Sequence, residues 1–209
     1  MKIIGVTQRV EPHPRHPERR DLLDQRWAPF LHRVGALPWI LPNHPETARA
    51  ALGSVEMAGI LLTGGNTPAA YGGDAPERDR TEELCIRWAV RNALPLLGVC
   101  RGMQMIQHHF GVRLRPVAGH VAPRMTLRVE GVPTELNSYH TLGATECPAP
   151  LVPWATADDG TVKAVRHREL PIAGIMWHPE RIAPFRAWDI GYFRQLFDIP
   201  GPPAEREAP

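Results

Sequence analysis

A chain of 209 residues, 43% hydrophobic and 22% charged, has the length and balance to bury a sizeable core, and it reads as a single domain over 1–198 followed by a frayed tail, 199–209. A formal net charge of +2, with no long basic run and no aromatic-basic interleaving, argues against nucleic acid as a partner, and no apolar stretch reaches the ~20 residues a membrane-spanning helix needs. The three cysteines, Cys85, Cys100 and Cys147, show no paired spacing, and the N-terminal MKIIGVTQ reads as a strand and not as a signal peptide, so a reducing, cytoplasmic setting is expected.

In chain order, KIIGVTQ at 2–8 opens as a strand and an amphipathic helix is expected from Asp21 to Val34. LPWILP at 37–42, MAGILLT at 57–63 and PLLGVC at 95–100 are short apolar runs of buried-strand type. A helix from Thr81 to Ala93 lies between the last two, and another follows Cys100 as far as Phe110. Strands alternating with helices imply an α/β fold, a mostly parallel sheet flanked by helices on both faces. The C-terminal half differs. TLRV, LVPWATA, TVKAVRH and IAGIMWH are separated by short turns such as Asp158-Asp159-Gly160, which suggests antiparallel additions before a last helix from Arg186 to Phe197.

Cys100 ends an apolar run, sits between Gly98 and Gly102, and opens a helix, the pattern of a sharp strand-to-helix turn that exposes a nucleophile. A thiol there lies beside the positive end of the helix, which favours thiolate. WHPE supplies His178 as base and Glu180 as its orienting carboxylate, and the N–H of Arg101 is a natural oxyanion donor. A buried core cysteine beside an ordinary strand end is the bland alternative; the two matching segments in the expected order favour a cysteine hydrolase. Ligands in open α/β sheets collect beyond the carboxyl ends of parallel strands, so Gln8, Arg9, Thr63, Gly64, Gly65 and Asn66 should face the same pocket as Cys100.

GVCRGMQ, WHPE and LLTGG at 61–65 resemble the class I glutamine amidotransferase fold, which is flavodoxin-like, and specifically its stand-alone γ-glutamyl hydrolase branch, the peptidase C26-like proteins. The resemblance runs to about residue 198. It implies Cys100, His178 and Glu180 as the triad, Gly65 as the second oxyanion N–H, Gln104 near the glutamyl part of the substrate, and the backbone of Asn137, Ser138, Tyr139 and His140 as the holder of its α-carboxylate. The implied chemistry is hydrolysis of a γ-glutamyl amide through a γ-glutamyl thioester. TQRV, RDLLDQRW at 20–27, LLTGGN, NSYHTLG and MWHPER are similar to the hydrolases that act on γ-glutamyl-CDP-amidate in capsular phosphoramidate biosynthesis. That likeness implies a nucleotide-linked small-molecule substrate, with Arg9 and one or more of Arg19, Arg20 and Arg26 on its pyrophosphate. Small γ-glutamyl amines such as γ-glutamyl-GABA, or ammonia delivery to a separate synthetase, are the alternatives.

From composition alone the basic residues of 9–27, Arg15 included, are equally readable as an anion site or as solvated surface charges. Arg78, Asp79 and Glu82 resemble a family RDxxE region, although Thr81 or Asp79 as a helix cap accounts for that segment more simply. Ten histidines do not make a metal site: His13 with His16 and His108 with His109 are the only close groupings, adjacent helical residues face apart, and no HExxH or CxxC spacing occurs. No metal or cofactor is expected. The oligomeric state is not readable.

Overall fold

Gly59–Leu62, Leu96–Val99 and Ile172–Ile175 are buried at every residue, which only the middle strands of a sheet covered on both faces require. In the computed structural model, which describes residues 1–201, the chain runs β1 (Lys2–Val6), β2 (Arg9–Pro12), β3 (Arg19–Leu22), α1 (Trp27–Val34), β4 (Ala36–Ile40), α2 (Pro45–Ser54), β5 (Gly59–Leu62), α3 (Pro76–Asn92), β6 (Leu96–Val99) and α4 (Arg101–His109). It continues through β7 (Arg115–Pro116), β8 (Val121–Val129), β9 (Val132–Tyr139), β10 (Leu142–Gly143), β11 (Leu151–Thr156), β12 (Val162–His167), β13 (Ile172–Ile175) and α5 (Ala187–Leu196). Nine strands form one sheet in the order β4-β1-β5-β6-β13-β12-β11-β8-β9.

Strand alternation divides the core between the two faces. Leu61, Leu97 and Val99 pack with Trp27, Phe30 and Leu31 of α1 and Phe193 of α5. Ile60, Leu62 and Leu96 pack with Leu52 of α2, Ile86 and Ala89 of α3 and Met103 and Ile106 of α4. Each fully buried aliphatic side chain of this kind contributes about 1.5–3 kcal/mol relative to exposure. No helix among the described residues is long and apolar enough to cross a membrane.

The α/β architecture holds, and four local expectations are corrected. Asp21 and Leu22 do not begin the first helix; Arg19–Leu22 pairs antiparallel with Arg9–Pro12, and the Asp21 carboxylate accepts from the N–H and Nδ2 of Asn43 at 2.9 and 2.8 Å, so α1 starts at Trp27. LPWILP is an edge strand, not a buried one, with Leu37, Trp39 and Ile40 exposed beyond the pairing with β1. β8, β9, β11 and β12 are antiparallel and IAGI pairs antiparallel with β12 as expected, but its other edge runs parallel to β6, because the long excursion from α4 through β12 lets the chain re-enter the sheet in the same direction. The expected tail also starts too early: Ile199 is buried, and its N–H donates to Arg194 O at 2.9 Å. Residues 202–209 of that tail lie outside the described residues.

Candidate active site

Between β6 and α4 the backbone turns at Cys100 with φ 54° and ψ −106°, a positive φ that a non-glycine residue adopts only under constraint. The constraint is close packing. A Cβ on Gly102 would lie 2.2 Å from Leu62 O, and one on Gly98 would lie 2.4 Å from the Gly102 carbonyl carbon, so strand and helix approach at a distance only glycine permits. Cys100 N–H donates to Ile175 O at 2.7 Å, tying the turn to β13.

The chain leaving β13 brings the next groups. His178 and Glu180 are both buried, and His178 Nδ1 is 2.7 Å from Glu180 Oε1. The Asn137 side chain clamps His178 on both sides of its backbone, accepting from its N–H at 2.7 Å and donating to its carbonyl at 2.9 Å. Gly64 lies against both His178 and Cys100: a Cβ there would fall 2.7 Å from His178 Cε1 and 3.5 Å from both His178 Nε2 and Cys100 Cβ. Burial pushes the Cys100 thiol up, but the charge and hydrogen bond of His178, the Arg101 N–H and the Arg181 guanidinium outweigh it and leave the thiol below its ordinary value. Burial likewise lowers His178, and the Cys100 charge, the Cys100 hydrogen bond and Glu180 reverse that and raise it to about 9. Each group thus favours the charged form of the other, which biases the pair toward thiolate and imidazolium.

Facing this pair, the loop Thr63–Asn66 is held from behind by Arg78, whose wholly buried guanidinium donates to the carbonyls of Thr63, Gly64 and Gly65 at 2.7, 3.1 and 2.6 Å and to Asn66 Oδ1 at 3.1 Å. Gly65 turns with φ 86°, and the Arg9 side chain lies across it, 3.0 Å from where a Cβ would stand. Arg78 also pairs with Glu82 at 2.9 Å, and Glu82 and Asp79 both pair with Arg101, the residue after the sulfur. The cap expected from Thr81 or Asp79 is thereby corrected: α3 begins at Pro76, its N-cap Ala75 makes no side-chain bond, and Arg78, Asp79 and Glu82 brace the two turns that flank Cys100.

The other expected residues divide by what their side chains reach. Tyr139 O is 3.9 Å from Cys100 Sγ, so the 137–140 backbone does border the site. The side chain of Ser138 turns inward to His120 O at 2.8 Å. Gln104 Nε2 and His140 Nδ1 both donate to Leu142 O, at 3.1 and 2.9 Å. Asn66 clamps Val10 through its N–H and carbonyl, both at 2.8 Å, which moors the β2–β3 hairpin to the loop. Arg9 borders a narrow cleft beside His178 and pairs with Glu11 at 2.5 Å; Arg19 pairs with Glu77 at 2.5 Å, Arg20 with Glu18 at 2.6 Å and Arg26 with Asp24 at 2.6 Å. The Arg26 charge sits close enough to act on Glu180 and Tyr139. Arg181, the last residue of MWHPER and given no role from the sequence, lines the same cleft, lies 5.4 Å over the Tyr139 ring and approaches Glu180 Oε1 to 3.3 Å. A larger cavity, about 770 Å³, opens between Arg166, Ile172 and Tyr192 on the α5 side and includes none of these groups.

The family model for peptidase C26 matches residues 2–126 and 122–180. The chain is 30% identical over 183 residues to the γ-glutamyl-CDP-amidate hydrolase of Campylobacter jejuni subsp. jejuni serotype O:2, covering 85% of this chain and 90% of that one. It is 40% identical over 164 residues to anthranilate synthase component 2 of Azospirillum brasilense, covering 73% and 80%. Among solved structures, a GMP synthase subunit-like protein from Thermoplasma acidophilum superposes with a TM-score of 0.71 at 20% identity over 95% of this chain and 94% of the other. A glutamine amidotransferase from Thermotoga maritima does so at 0.66 and 16%, over 94% and 84%.

Proposed function

The chain belongs to the peptidase C26 family and has the glutamine amidotransferase fold, and from that premise we propose that it is a single-domain, cysteine-dependent hydrolase of a γ-glutamyl amide. The observation that carries the reading is the strained turn that aims Cys100 at an imidazole backed by Glu180. The Cys100 thiolate attacks the γ-carbonyl carbon, and the developing oxyanion lies between the N–H groups of Gly65 and Arg101. Protonated His178 donates to the departing nitrogen, the C–N bond breaks, and a γ-glutamyl thioester remains. His178 then takes a proton from water as its oxygen attacks the thioester, releasing glutamate and restoring the sulfur. The backbone at 137–140 and Gln104 hold the glutamyl end.

γ-Glutamyl-CDP-amidate, giving cytidine diphosphoramidate and glutamate, is the leading substrate. Likeness to the Campylobacter enzyme supports it, as do Arg9 and Arg181 at the cleft, a pair suited to a pyrophosphate. Arg26, just before α1, is better placed to join them than Arg19 and Arg20 of the hairpin, since its partner Asp24 lines the cleft while theirs lie away from it. Purified protein would be offered γ-glutamyl-CDP-amidate, γ-glutamyl-GABA and glutamine while glutamate is measured. Arg9→Ala should impair the nucleotide-linked substrate far more than glutamine; equal losses overturn this specificity. A second reading, ammonia supply to a synthetase, draws on the likeness to anthranilate synthase component 2. It predicts weak glutaminase activity that rises only with a partner.

A further inference from the structure

Extending the γ-glutamyl reading, we propose that the buried ammonium of Lys163 is a positioning residue: it fastens the strand end 137–140 and supplies a fixed positive charge that favours an anionic group, the substrate's α-carboxylate, beside Cys100. Lys163 stands on β12 and is fully buried. Its Nζ donates to Ser138 Oγ at 2.8 Å and to His140 Nε2 at 2.7 Å. Both acceptors are neutral. His140 accepts at Nε2, so its proton lies on Nδ1, directed at Leu142 O. Burial first, then the Lys163 charge, pushes His140 down to about 3, which keeps it uncharged. Ser138 Oγ passes the connection to His120 O, and the His120 ring stacks on His140 at 5.1 Å. One residue from Ser138, the Tyr139 carbonyl meets the Cys100 sulfur.

A buried ammonium without a carboxylate partner is costly unless a counter-charge compensates it. The groups facing Lys163 do not supply one directly. Asp159, on the turn before β12, is the acid whose charge reaches it, but that carboxylate is bound to His120 Nε2 at 2.9 Å. His140 at the end of β9 offers a neutral ring, and the His120 ring before β8 stacks on it. Cys100, at the end of β6, faces His178 beyond β13 and contributes its thiolate to both. A carboxylate bound against the 137–140 backbone completes the compensation, and Lys163 thereby couples strand geometry to substrate charge. Burial lowers Lys163 to about 8, against the Asp159 and Cys100 charges. Its charge is therefore present below about pH 8 and lost above it.

The test compares alkylation of Cys100 by iodoacetate and by iodoacetamide, read by peptide mass spectrometry, because the ratio of the two rates cancels the thiolate fraction and reports local potential. Lys163→Gln keeps an N–H donor and removes the charge. It should lower the iodoacetate-to-iodoacetamide ratio by about fivefold or more and raise KM for a γ-glutamyl anilide more than it lowers kcat. Lys163→Arg should restore the ratio. An unchanged ratio in folded Lys163→Gln, or a ratio equally low in Lys163→Arg, overturns the proposal. If the glutamine variant does not fold, the native protein decides: its ratio must fall as pH rises through about 8, and a constant ratio refutes the charge. The ratio is independent of turnover, so failure of the γ-glutamyl reading would appear as absent glutamate release with the ratio still responsive.

Discussion

Arg78→Lys tests how the loop opposite Cys100 is held. The native guanidinium forks across three successive carbonyls, those of Thr63, Gly64 and Gly65, while also reaching Asn66 and Glu82. An ammonium has no planar fork, so lysine can keep Glu82 and at most part of that set. Burial already lowers Arg78 to about 10, and lysine begins ~2–3 pKa units below arginine, which drives the substitute further toward its neutral form. Loss of two carbonyl partners at ~1.5–3 kcal/mol each gives a destabilisation of ~3–6 kcal/mol. At ~2–4 °C per kcal/mol for a chain of this size, the melting temperature should drop by ~6–24 °C. A displaced Gly65 N–H would also weaken the proposed oxyanion site, for which ~10–100-fold in kcat is reasonable, since complete removal of one donor costs ~100–1,000-fold. The assays are a calorimetric melt and glutamate release at a temperature where the variant is folded. A melt within about 2 °C of native together with turnover within about twofold would refute the brace.

Three further outcomes follow from the same geometry. Cys100→Ala should abolish glutamate release, whereas Cys85→Ala should leave it intact, because Cys85 is wholly buried and burial pushes its thiol far up; a reversed pattern in the two assays would remove Cys100 from the chemistry. Hydrolysis should decline as pH rises through about 9, where His178 loses the proton it donates, while alkylation of Cys100 continues, because its thiol is depressed and stays ionised there; toward acid both should fall together as the thiolate is protonated, and Glu180→Gln, measured by the same pH profiles, should move the alkaline limb to lower pH. Gly102→Ala puts a methyl group 2.2 Å from Leu62 O, where backbone must move, so chemical denaturation should show a loss of ~2–3 kcal/mol or more with a matching fall in activity; native-like stability would mean that β5 and α4 are not locked together.

The sequence by itself determined the core of the sheet and the position of the candidate nucleophile, because both are written in local pattern. The apolar runs at 59–62 and 96–99 read as buried strands and lie in the middle of the sheet, and a cysteine between glycines at a strand-to-helix junction marks the sharp turn. The hairpin at 9–22 was not legible, because charged residues such as Arg20 and Asp21 hide a strand whose pairing partner, about ten residues earlier, is equally polar. The β13 direction, Arg181 over Tyr139, Arg78 behind the Thr63–Asn66 loop and Lys163 beneath Ser138 and His140 were decided only by tertiary structure. Each depends on charged or strand residues brought together from well-separated stretches of the chain, and no residue type or spacing encodes that proximity before the sheet has closed over it.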